Sequence, residues 1–140
     1  MNLEEMQKKE LIKRTTSSKQ SALRRIKKAE RWLALAKKLV AMDLDTALEK
    51  TYDAILESGL AIMSKEGYRP TSKLGHHFAI MEYLSNAIDI DSSELQTMRK
   101  NRNIVIYEDE DDMITVEYVD EAIKFAATII EKSGKSLGRK

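Results

Sequence analysis

Apolar residues return every three or four positions along most of this chain, which is the period of helices with one buried face. Ala22, Ile26, Ala29, Leu33, Ala36 and Val40 form one such stripe, widened by Trp32 and Leu39, and predict a first long helix. Asp43 and Asp45 offer N-caps to a second, in which Ala47, Leu48, Tyr52, Ile55, Gly59, Leu60 and Met63 continue the pattern. Gly67 stands where a C-cap is expected, and Gly67-Tyr68-Arg69-Pro70, with the chain's only proline, stops that helix. A third helix is predicted from about Leu74 to Ile88, with Phe78, Met81, Leu84 and Ile88 inward. Asp91-Ser92-Ser93-Glu94 has the spacing of a capping box and opens a fourth. Thr115 starts the last, whose inner face is Val116, Val119, Ile123, Ala126, Ala127 and Ile130. Little reads as strand. The expected fold class is all-α, an antiparallel bundle of four to five helices. Residues 19–132 form its single domain, residues 1–18 a basic, partly flexible segment, and residues 133–140 a flexible tail.

One position breaks the apolar rule. In the fourth helix Leu95, Met98, Arg102, Val105 and Ile106 share a face, so a guanidinium sits inside the hydrophobic stripe. Arginine cannot shed its charge and is seldom buried without an anion or several acceptors beside it. A structural ion pair or a side chain that snorkels to water is one explanation, and a phosphate-binding site at a groove or dimer seam is the other. Arg99 lies one turn before Arg102, and two neighbouring guanidiniums repel unless an anion or carboxylate joins them.

The formal net charge of +1 conceals a segregation along the 140 residues. Residues 1–40 carry a balance of +8, residues 41–131 one of −11, and the last nine restore +4. The early cations, among them Lys8, Lys13, Arg24, Lys27, Lys28 and Arg31, suit a phosphate-attracting surface, the solvated face of a helix, or an arm docked on the acidic remainder. No segment has the length and apolarity of a membrane span or a signal peptide, so a cytoplasmic protein with no membrane partner is expected.

Cysteine is absent, which excludes disulfides, thiol nucleophiles and cysteine-held metals. His76 and His77 are the only histidines and, being adjacent, point about 100° apart on a helix. They cannot form the one-faced pair that binds zinc, and no metal or other cofactor is expected. One of them suits the start of the third helix and the other solvent or a neighbouring tyrosine, and a contribution to the Arg102 site from another helix is left open. Gly134-Lys135-Ser136 lacks the glycine spacing and the strand of a phosphate loop, and no Gly-x-Ser-x-Gly occurs. Glu108 to Asp112 is too charged to pack and reads as a loop.

The pair of helices around Asp45 to Glu66, Gly67-Tyr-Arg-Pro70, Gly75-His-His77, Arg102-Asn103 followed by Tyr107-Glu108, and the closing helix from Thr115 together resemble the HEPN domain family. These are small helical domains of prokaryotic defence, toxin–antitoxin and RNA-processing systems. The resemblance covers most of residues 20–132. It implies a homodimer that sets two arginine motifs at a shared seam and binds RNA or nucleotide phosphate through Arg102 and Asn103, and Arg99, beside Arg102 on the helix, joins them as an expected phosphate-binding residue. It further implies metal-independent endoribonuclease activity through an arginine and, after four to six positions, a histidine. Here Tyr107 fills the histidine's place, so the implied catalytic pair is Arg102 and Tyr107, with catalysis weakened or lost, because a tyrosine with a pKa near 10 is a poor base at pH 7. Some members pair with a nucleotidyltransferase that adenylates a tyrosine two places beyond the histidine, where this chain has Asp109. A second expectation is therefore a non-catalytic interaction module that pairs with such a partner and uses Arg102 as a structural clamp.

Overall fold

The structure, a computed structural model, describes residues 1–71, 75–108 and 114–138, and the side chains of residues 106–108 also lie outside that description. Among the described residues the elements are α1 (Leu3–Lys8), β1 (Ile12–Arg14), α2 (Lys19–Leu39), α3 (Leu44–Glu66), β2 (Tyr68–Pro70), α4 (His76–Ile88), α5 (Ser92–Glu108) and α6 (Val116–Ser136). The fold is an all-α bundle with one small ribbon attached.

Helix α3 is the hub, packing on α2, α6, α4 and α5. Its middle is closed on nearly every side, from Thr51 and Tyr52 through Ala54–Gly59 to Ala61–Met63, as expected of a helix with neighbours all round. Contacts fix the directions. Ser18 N–H reaches Ser64 O, Arg25 meets Glu57 and Trp32 meets Lys50, so α3 returns antiparallel to α2. Tyr52–His77, Gly59–Ile80 and Glu66–Tyr83 instead ascend together, so α4 crosses α3 in the same sense. The ribbon makes this geometry available by carrying the chain away from the end of α3 before α4 begins.

The caps explain the boundaries. Ser18 Oγ accepts from Ser21 N–H at 3.0 Å and Thr115 Oγ1 from Tyr118 N–H at 3.0 Å, starting α2 and α6. Asp91 Oδ1 accepts from Ser93 N–H at 3.0 Å ahead of α5. Gly67 ends α3 at φ +84°, where a Cβ would lie 3.2 Å from the Thr15 carbonyl oxygen, so the end of the helix and the arriving β1 both favour glycine.

Two terminal expectations are corrected. The stretch expected to be loop-like before Ser18 holds α1 and β1, with Met6 and Ile12 buried, and β1 pairs antiparallel with β2 in the register Ile12 to Pro70 and Arg14 to Tyr68. Pro70 is tolerated because this ribbon is all edge. At the other end α6 runs on through Ser133-Gly-Lys-Ser136, burying Ser133, Gly134 and Leu137. Lys65 Nζ donates to Ser136 O at 2.8 Å and so satisfies a carbonyl of its last turn. The third helix starts at His76, and Leu74 lies outside the described residues, as does the acidic run beyond Glu108. No helix among the described residues is long and apolar enough to cross a membrane.

Candidate functional site

The apolar stripe of α5 forms as its spacing predicts. Leu95, Met98 and Val105 are buried, and Arg102 stands among them with its side chain only 11% exposed. The guanidinium lies over the buried Tyr52 ring of α3, with Cζ 5.1 Å from the centroid. Its Nη2 is 3.7 Å from Glu49 Oε1, and its Nη1 donates to Asn103 Oδ1 at 3.4 Å. A cation on a desolvated aromatic face is worth up to about 2 kcal/mol, which helps α5 accept a charge in its stripe. The Glu49 contact is longer than a good hydrogen bond, and the Glu49 side chain is 44% exposed, so this carboxylate is a loose counter-ion.

Tyr52 joins Arg102 to a histidine. Its hydroxyl lies 3.2 Å from His77 Nδ1, and the two rings sit 5.6 Å apart and tilted. His77 comes from the first turn of α4, so α3, α4 and α5 each contribute to the cluster. His76 packs edge-on against His77 at 5.8 Å and places its own Nδ1 3.2 Å from Thr71 O, which ties it to the ribbon.

Burial holds the His77 pKa below the ordinary imidazole value, and the positive charge of Arg102, the neighbouring His76 and Arg99 press it down further. Asp53, one turn after Glu49 on α3, is pushed the other way. Burial raises its pKa, Lys50 opposes that rise, Glu49 adds to it and Arg102 opposes it.

Of the residues expected from the sequence, Arg102 and Asn103 are in contact, while Arg99 is held beside them by other partners. Its Nε donates to Gln96 Oε1 at 2.7 Å and its guanidinium lies 5.8 Å from the Phe78 centroid. The backbone of α5 stays helical through Tyr107, whose side chain lies outside the described residues. The pair read from the sequence, Arg102 with Tyr107, is therefore joined here by a second constellation, Arg102 with Tyr52 and His77. Nothing in the chain alone marks Glu49, Tyr52 and Asp53 as site residues. Their spacing of three and four puts them on one face of α3, but the sequence does not state that this face meets α5. No group of three or more metal-ligating side chains occurs among the described residues.

No protein-family model matches this chain. No curated protein matches it either.

Proposed function

We propose that this is a HEPN-like protein that binds RNA or nucleotide phosphate and acts as a metal-independent endoribonuclease, with Arg102 and His77 as its working pair. The observation that carries the reading is the convergence of a guanidinium and an imidazole on one tyrosine, Arg102 over the ring of Tyr52 and His77 at its hydroxyl. Arg102 holds the scissile phosphate, and Arg99 and Asn103 support it. In the tautomer with hydrogen on Nδ1, His77 donates to the Tyr52 oxygen and keeps the Nε2 lone pair as a base. That nitrogen takes the proton of a ribose 2′-hydroxyl. The 2′-oxygen then bonds to phosphorus, the bond from phosphorus to the 5′-oxygen breaks, and the leaving 5′-oxygen takes up a proton from water, while the proton on His77 returns to solvent. Negative charge growing on the phosphoryl oxygens is met by the guanidinium in a partly dry site. A homodimer that joins two such sites at a seam follows from the same resemblance.

The test is cleavage of a mixed single-stranded RNA in excess chelator by wild type, Arg102→Ala, His77→Ala and Tyr107→His, with folding checked by circular dichroism. The expected result is wild-type cleavage that falls about 10²–10⁴-fold in His77→Ala and at least as far in Arg102→Ala. The rate should rise with pH through a value below 6.5 and then level, since the base must be neutral.

The Arg102 contact with Glu49 favours a second reading, an interaction module in which Arg102 only clamps α5 to α3. That reading predicts that Arg102→Ala lowers stability or dimerisation and leaves phosphate binding unchanged. A folded wild type that neither cleaves RNA nor binds phosphate selects it, and the resemblance then names a nucleotidyltransferase-type partner as the one to try first.

A further inference from the structure

The exposed face of α2 is an unusual concentration of positive charge, and its contacts lead towards Arg102. Arg24, Arg25, Lys27, Lys28 and Arg31 line one recess of about 400 Å³ together with a single carboxylate, Glu57. Arg24, Lys28 and Arg31 stand at i, i+4 and i+7, so they share one side of the helix. Glu57 is only 7% exposed and is occupied by Arg25 Nη1 at 3.1 Å and Lys28 Nζ at 3.7 Å. It holds the recess wall together and leaves the recess with a large positive excess. Arg24, Lys27 and Arg31 are exposed.

At the far end of this face stands Trp32, the only tryptophan in the chain and half-buried. Lys28 Nζ lies 4.6 Å and Lys50 Nζ 4.9 Å from its ring centroid. Both lysines are partly exposed beside the ring. Lys50 is followed on α3 by Asp53, 3.7 Å away, and preceded by Glu49, which touches Arg102. From Arg24 to Trp32 the path covers about 12 Å along the helix, and α3, which packs on both α2 and α5, then lies between its end and Arg102.

We infer that this α2 face is the track by which single-stranded RNA reaches the Arg102–His77 site, its phosphates lying over Arg24, Lys27, Lys28 and Arg31 and one base stacking on Trp32. The inference rests on the reading of that site as an RNA site. Cations spaced along a groove with an aromatic ring at its end are what a flexible strand needs, because phosphates supply attraction at each step and every base has a face to stack. An acidic polypeptide would use the cations and leave the indole without a purpose.

The experiment measures binding of a fluorescent 12-nucleotide single-stranded RNA and of a dinucleotide to the whole chain at several salt concentrations, with Trp32 emission as a second signal. Wild type is compared with Arg24→Ala/Arg31→Ala, Trp32→Leu and Arg102→Ala. The 12-mer should bind more tightly than the dinucleotide and quench Trp32. The four α2 cations give a slope of log affinity against log salt of about −2.8, which loses about 1.4 in the double variant. Trp32→Leu should weaken the 12-mer about 5- to 150-fold. Dinucleotide binding should respond to Arg102→Ala and not to the α2 variants. Equal binding of both RNAs, unmoved by the α2 variants, overturns the track and leaves the Arg102 reading standing. Binding that needs α2 but ignores Arg102→Ala, with no cleavage, keeps the α2 surface and removes the Arg102 reading. Failure of the 12-mer to bind or to quench overturns the inference, even where poly-glutamate binds in its place.

Discussion

Gly59 offers the sharpest test of how the bundle positions its candidate site. It lies where α4 crosses α3, and a Cβ built there would sit 2.6 Å from Ile80 Cγ2, 3.4 Å from Ile80 O and 3.7 Å from Leu84 Cβ. The first distance is about 1 Å inside ordinary carbon contact. Ile80 Cγ2 branches directly from Cβ, so it cannot swing aside without changing a stiff rotamer. Overpacking of this kind costs about 1–3 kcal/mol, whereas alanine in place of glycine inside a helix returns about 1 kcal/mol. Gly59→Ala should therefore lose up to about 2 kcal/mol by urea denaturation followed by circular dichroism, at about 4 °C of Tm per kcal/mol. Ile80→Leu removes the β-branch at nearly constant volume, and the double variant should recover part of the loss. The crossing also sets the start of α4, so in Gly59→Ala the His77 titration followed by NMR should move up towards the ordinary imidazole value. A Gly59→Ala protein more stable than wild type by the full helix-propensity gain would show that the two helices do not approach this closely.

Other outcomes follow from burial and from the perturbed groups. Leu137 and Met6 are each 1% exposed, so Leu137→Ala and Met6→Ala should each cost about 2–5 kcal/mol in thermal or urea unfolding, while losses below 0.5 kcal/mol would return both ends to the loose segments expected from sequence. Folded His77 binds protons less readily than the unfolded chain, so its contribution to stability is complete above about pH 6.5 and is lost as pH falls through the lower folded value. His77→Gln should flatten the stability profile between pH 7.5 and 5, and an unchanged slope there would contradict the assigned environment. Asp53 has the opposite sign, because burial raises its folded pKa: its contribution is greatest below about pH 3.8 and declines as pH rises through the folded value. Asp53→Asn should accordingly raise the urea midpoint at pH 7, and a lowered midpoint would show that the Lys50 pair outweighs the cost of burial.

Most of the bundle was legible because helices α2 to α6 carry their own evidence, a repeating apolar face bounded by Ser18, Gly67, Asp91 and Thr115. Periodicity needs length, and α1 and β1 do not have it. Six helical and three strand residues hold Met6 and Ile12 without a repeat, and β1 is a strand only because Tyr68–Pro70, more than fifty residues later, lies beside it. Gly134 was a breaker by propensity, yet packing on the bundle keeps it helical, since burial of the neighbouring face outweighs about 1 kcal/mol of helix preference.

Helices α2 to α6, the charge asymmetry and the anomaly at Arg102 can be read from the chain alone, because each of these is a property of residues close together along it. What Arg102 meets is set by packing between elements. Tyr52 and His77 lie fifty and twenty-five residues away, and on their own helices one looks like a core aromatic and the other like a residue at a helix start. Their meeting depends on the angle at which α4 crosses α3, and that angle depends on a missing side chain at Gly59 and on where the ribbon releases the chain. Such geometry comes from packing between elements, where a local period carries no information about which faces will touch.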